Sequence, residues 1–174
     1  TIHYPKIGTV LTAKDCSSHT VLASKTLYLT DTVTYSNLIP GKAYDLDGAL
    51  IDKETGKEIK NGDSFVKATT GFTPDKPDGT VQLTFKIDAT GLAGKTLVAF
   101  EILWRNGKEV AIHADINDEA QTVFIPDIST SFTCNETKNH MAPAGGLMKF
   151  TDNVSYKNLT PGKEYTVKGT LMDK

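Results

Sequence analysis

The chain repeats itself at a fixed distance. Pro126-Asp127-Ile128-Ser129-Thr130-Ser131-Phe132-Thr133 aligns with Pro5-Lys6-Ile7-Gly8-Thr9-Val10-Leu11-Thr12. With no gap, Thr151-Asp152, Val154, Tyr156, Asn158-Leu159 and Pro161-Gly162-Lys163 align with Thr30-Asp31, Val33, Tyr35, Asn37-Leu38 and Pro40-Gly41-Lys42. Gly169, Leu171 and Asp173-Lys174 then fall on Gly48, Leu50 and Asp52-Lys53. The offset is 130 − 9 = 121 throughout, the length of a domain rather than of a solenoid unit. The expectation is one complete module, residues 1–125, followed at 126–174 by the N-terminal third of a tandem copy. That third holds Thr130 and Asp152 but no later motif, so disorder is expected after about Pro126 unless another chain supplies strands.

Inside the first module the apolar period is two. Ile7, Thr9, Leu11 and Ala13 share one face of a strand, and Leu27, Leu29, Val33 and Tyr35 share another. Further strands are expected at Tyr44–Leu50, around Phe65–Ala68, at Val81–Ile87, Leu97–Leu103, Val110–His113 and Thr122–Ile125, with turn chemistry between them: Asn37 to Lys42, Asp52 to Lys57, Pro74 to Gly79 and Arg105 to Lys108. No segment has a helical period. Many short strands between turns predict an all-β sandwich or barrel. A formal charge of −2 without a Lys/Arg run excludes electrostatic nucleic-acid binding, and no apolar stretch is long enough to insert in a membrane as a helix. Cys16 and Cys134 form neither a disulfide framework nor a metal site.

The residues from Ala111 to Val123 are loaded beyond what a turn requires. His113, Asp115, Asp118 and Gln121 crowd a connection that Gly, Pro or Ser would make more simply. Glu101 lies within the most apolar run of the chain, so it is paired, protonated, or turned outward by alternation. Asp31 shares the apolar face of its strand with Leu29 and Val33, and could equally cap a turn. A lone histidine such as His113 reads more often as structural than catalytic. His3, His19 and His140, in polar loops or ends, take only the structural reading. Metal binding by His113, Asp115 and Asp118 is a weaker alternative, because no second histidine or loop glycine completes a zinc or calcium pattern.

Four stretches in order carry a resemblance: Thr30 to Leu38, Gly48 to Gly56, Val98-Ala99-Phe100-Glu101, and His113 to Thr122. They resemble the VaFE-repeat, or ester-bond, domains of Gram-positive surface adhesins, over Ile7 to Ile125 and again from Pro126 to Lys174. The resemblance implies an immunoglobulin-like β-sandwich whose first and last strands are joined by a Thr–Gln ester. It makes Gln121 the acyl partner and Thr9 the nucleophile. Thr12 is a rival by spacing, but alternation aims Thr9 at the core and Thr12 away from it. His113 then serves as base, oriented by Asp118, while the buried pair Asp31 and Glu101 polarises the amide. Thr130 and Asp152 are the counterparts of Thr9 and Asp31 in the second copy.

The implied function is a self-crosslinked stalk module of a cell-wall-anchored adhesin on the cell surface. Its partners would be neighbouring repeats, with host ligands left to other domains, no cofactor and no turnover as an enzyme. A ligand-binding adhesin domain that recognises a host protein or glycan is the competing class; against it, the module is a repeat with short, polar loops, and Trp104 is the only tryptophan. A hydrolase using His113 and Asp118 would need a nucleophile open to substrate.

Overall fold

The computed structural model describes residues 2 and 4–173, so His3 lies outside the described residues. The strands are β1 (Lys6–Ala13), β2 (Leu27–Ser36), β3 (Tyr44–Asp52), β4 (Lys57–Glu58), β5 (Lys60–Asn61), β6 (Ser64–Phe65), β7 (Lys67–Phe72), β8 (Gly79–Ile87), β9 (Thr96–Arg105), β10 (Lys108–His113), β11 (Thr122–Phe124), β12 (Asp127–Cys134) and β13 (Phe150–Lys157). One 3-10 turn, Glu119–Gln121, is the sole helical element among the described residues. The strand expected around Phe65 is broken in two at Val66, whose N–H turns to Ile59 O instead of extending the ladder.

Two antiparallel sheets form the core of the first copy, beside the small β5-β6 hairpin. One is β1-β2-β8; the other runs β10-β9-β3-β4, with β7 also on β3 and β11 also on β9. Their inward residues close on each other: Leu11, Leu29, Val33, Leu83 and Phe85 from the first, Leu46, Leu50, Leu97, Ala99 and Leu103 from the second, all buried. The period-two alternation of the sequence is what sorts these residues inward. At Gly48 the two sheets leave no room for a side chain, since a Cβ there would stand 2.7 Å from Phe85 Cζ and 2.8 Å from Leu83 Cδ1. Gly48→Ala is therefore expected to destabilise the uncrosslinked fold by about 1–3 kcal/mol through overpacking. Urea titration checks this; an unchanged midpoint would mean the sheets shift apart freely.

One edge of β9 serves two strands. β10 pairs with its C-terminal half, ending at His113↔Glu101, and β11 pairs with its N-terminal half, beginning at Thr122↔Val98. The connection from Ala114 to Gln121 leaves the sheet between those two points and returns. This detour sets His113 opposite Glu101 and brings Gln121 Nε2 to the Glu101 carboxyl.

The second copy departs from the disorder expected after Pro126. β12 and β13 pair along their full length, from Asp127↔Lys157 to Cys134↔Phe150. These are the β1–β2 partners, Lys6↔Ser36 to Ala13↔Leu29, each moved on by the repeat offset. The strands form because each finds its backbone partners within the same short segment. The rest of the copy does not follow: among the described residues no strand occurs after Lys157. The face that β1 and β2 bury is open here, with Phe132 40% and Tyr156 67% exposed against 0% for Leu11 and 7% for Tyr35.

Candidate crosslinking site

Thr9, Asp31, Glu101 and Gln121 meet in the core, on four different elements. β1 and β2 place Leu11 opposite Asp31 and Thr9 opposite Val33, with the side chains of Thr9, Leu11 and Asp31 all buried. Glu101 shares the inward face of β9 with Ala99 and Leu103 and has no exposure, so the outward reading of its alternation is wrong. Asp31 is likewise fully buried and caps no turn. Gln121 ends the 3-10 turn and is also fully buried.

Contacts among the four are short. Gln121 Nε2 donates to Thr9 Oγ1 at 2.7 Å and to Glu101 Oε2 at 2.6 Å. Gln121 Oε1, Glu101 Oε1 and both Asp31 carboxyl oxygens are buried without an ordinary donor. Four unserved acceptors in one pocket carry a large desolvation penalty unless protons are held there. The carboxyl groups of Asp31 and Glu101 are neighbours, with the Thr9 hydroxyl beside them. Burial, reinforced by the adjacent Asp31 charge, pushes Glu101 up to about 10. Burial also raises Asp31, opposed by the neighbouring Glu101 carboxyl, the Thr9 hydroxyl and His113. At neutral pH the pair thus holds a proton on Glu101, which it shares with Asp31.

His113 and Asp118 stand one layer out. His113 Nε2 and Asp118 Oδ2 are 2.9 Å apart, each side chain about a quarter exposed. That hydrogen bond holds the Asp118 carboxylate below its ordinary value. If Nε2 carries the proton, Nδ1 keeps its lone pair and can accept. No hydrogen bond joins His113 to Thr9. Asp118 also caps the 3-10 turn, its Oδ1 accepting from Ala120 N at 2.9 Å and its backbone carbonyl from Thr122 Oγ1 at 2.7 Å. One residue therefore fixes both the histidine and the turn that delivers Gln121.

Thr12, on the opposite face of β1, is outside this cluster, as alternation required. Thr130 and Asp152, the second-copy counterparts, are both exposed. Asp115 bonds only its own loop, receiving Asn117 N, and the described residues contain no cluster fit for a metal ion.

Two positioning residues escaped the sequence reading. His19 Nδ1 lies 2.9 Å from Thr122 O, and the same loop holds β11 from the side opposite β9, through Phe124 N to His19 O at 2.7 Å and Val21 N to Phe124 O at 3.0 Å. Thr122 itself is fully buried beneath the turn. A contact spanning 103 positions, from a loop to the first residue of β11, leaves no periodicity to find.

The model of the T-Q ester bond containing domain matches residues 5–125 and again 126–174. The chain belongs to that family. No curated protein matches it by sequence. Among solved structures, two crystal forms of an adhesin from Mobiluncus mulieris, described as containing intramolecular disulfide, isopeptide and ester bond cross-links, share its fold. The first has 17% identity over 86% of this chain and 77% of that one, with a TM-score of 0.59. The second has 14% identity over 90% and 74%, with a TM-score of 0.56. A glycosyl hydrolase family 2 member from Bacteroides cellulosilyticus also resembles it, at 12% identity, over 72% of this chain but 15% of that enzyme, with a TM-score of 0.50. At these identities the likeness is one of fold. In a T-Q ester bond domain, the meeting of one threonine with one glutamine in a dry core is the feature of interest.

Proposed function

We propose that Thr9 Oγ attacks Gln121 Cδ, joining β1 to the end of the 3-10 turn by an ester. The hydroxyl proton leaves Thr9, the C–N bond of the amide breaks, and the nitrogen departs as ammonia with that proton. The observation that carries the reading is the 2.7 Å contact between Gln121 and Thr9, both buried. An amide is a poor electrophile, and a proton on Glu101 supports its activation. A half-turn about the terminal bond of Gln121 exchanges Nε2 and Oε1, and would set the carbonyl oxygen against that proton. His113 held by Asp118, or Asp31 beside the hydroxyl, would receive the proton of Thr9. Water is excluded from the product by the same burial.

On this reading the domain, residues 1–125, is an immunoglobulin-like sandwich locked at its two ends. It acts once on itself and is a stalk module of a surface adhesin, exposed outside the cell, with neighbouring repeats as its partners. Load entering at β1 and leaving after β11 would pass through the ester rather than through the hydrogen-bonded sheets. Intact mass under denaturing conditions tests it. The chain is expected one ammonia lighter than its sequence, and Thr9→Ala or Gln121→Ala at full mass. Full mass in the unaltered chain would refute the bond.

A further inference from the structure

The second copy is seated on the first by a turn that the first copy also contains. Asn158 begins that turn at φ 55°, as Asn37 does at φ 62°, and Gly162 ends it at φ 74°, as Gly41 does at φ 71°. In both turns a backbone N–H donates to a tyrosine hydroxyl at 3.0 Å: Ile39 to Tyr44, and Thr160 to Tyr165. In both, the asparagine amide donates to the residue before the module's proline, Asn37 to Tyr4 O at 3.0 Å and Asn158 to Ile125 O at 3.2 Å. The repeat therefore reproduces three-dimensional contacts as well as letters.

Asn158 does one thing more. Its Nδ2 also donates to Lys95 O at 2.9 Å, a carbonyl of the first copy. Thr160 Oγ1 meets Thr20 Oγ1 of the first copy at 2.9 Å. Gly94 lies where a Cβ would stand 3.3 Å from Asp127 and 3.4 Å from Lys157. Between the copies lies a cleft walled by His19, Thr20, Phe124, Leu159 and Pro161. Only Pro126 separates Ile125, whose N–H is bonded to Lys95 O, from β12, so no flexible linker intervenes.

We propose that the Asn-Leu-X-Pro-Gly turn is a docking element whose partner is the far end of a preceding copy of the same module. The seat is the Gly94–Lys95 turn together with the Thr20 loop. Asparagine suits the first position twice over: it tolerates the left-handed backbone, and its two amide hydrogens reach two carbonyls of the preceding copy, Lys95 O and Ile125 O. Joints of this kind are head-to-tail, so each module offers a turn at one end and a seat at the other. The first copy's own turn fits the same partner: Asn37 donates only one amide hydrogen among the described residues, and Ile39 and Pro40 are exposed beside it. Because Ile39 stands where the second copy has Thr160, that turn would prefer a seat whose Thr20 position is apolar.

The joint does not rest on the ester, which intact mass reports separately. Spin labels at Thr84→Cys on β8 and Ser155→Cys on β13, in a Cys16→Ser chain, read the distance between copies by electron–electron double resonance. One narrow distance is expected in the parent. Asn158→Gly keeps the left-handed turn but removes the amide, and loss of the narrow distribution is expected. Thr20→Val, which leaves the second copy untouched, should broaden it as well, whereas Asn37→Gly should not. A broad distribution in the parent, or an unchanged one in Asn158→Gly, overturns the proposal; so does equal broadening by Asn37→Gly.

Discussion

Thr9→Ala is expected to lower the unfolding free energy of the first copy by roughly 5 kcal/mol, most of it through the unfolded chain. The proposed ester closes a loop between residues 112 apart, and in the chain-entropy description a crosslink over about 100 residues contributes about 4.7 kcal/mol. Loss of the threonine methyl and hydroxyl adds a smaller folded-state effect, because Gln121 Nε2 then lacks one of its two acceptors. In thermal terms the shift would be roughly 15–25 °C for a domain of this size. Thr12→Ala, on the opposite face of the same strand, should stay within about 0.5 kcal/mol. Guanidinium titrations of the three proteins supply the comparison. Similar midpoints for the parent and Thr9→Ala would mean that no crosslink contributes, whatever the proximity of the two side chains.

How far the sequence revealed this site depended on which kind of regularity each residue obeyed. Thr9 and Asp31 both sit at inward positions of clear period-two strands, though for Asp31 the pattern alone left a turn-capping reading equally open. Glu101 was ambiguous for a different reason. Its run is apolar on both faces, since β9 is a central strand, so alternation alone could not tell in from out. Gln121 and Asp118 were visible as an excess of chemistry in a connection, yet their placement depends on β10 and β11 sharing one edge of β9, a tertiary fact. His19 and Thr122 needed that fact too. In the second copy the repeat announced the β12–β13 register, while the expectation of disorder ignored that a hairpin satisfies its own backbone. Asn158 looked like turn punctuation in both copies, and only its contact with Lys95 separates a turn from a joint.

Glu101→Gln is expected to flatten the pH dependence of stability in the uncrosslinked Thr9→Ala background. The sign follows from the folded chain holding a proton that the unfolded chain releases. Glu101 titrates at about 10 when folded against 4.5 in the open chain. Its contribution is full below 4.5, declines as pH rises between those values and is gone above about 10. The slope approaches 1.4 kcal/mol per pH unit for one proton, roughly. Asp31, raised by the same burial, acts with the same sign, so a residual decline should survive the substitution. Asp118 is lowered by His113 and acts with the opposite sign, but only at acid pH, as its carboxylate is protonated below the ordinary range. Urea titrations from pH 5 to pH 9 (roughly the span in which one proton differs between the two states) decide the matter. A level profile in Thr9→Ala, or an equal fall in both proteins, would show that the Asp31–Glu101 pair holds no proton at neutral pH. The expected fall also explains why a domain can carry two buried carboxyl groups at all. The precursor is weakened by them at neutral pH, and the proposed ester would offset that loss.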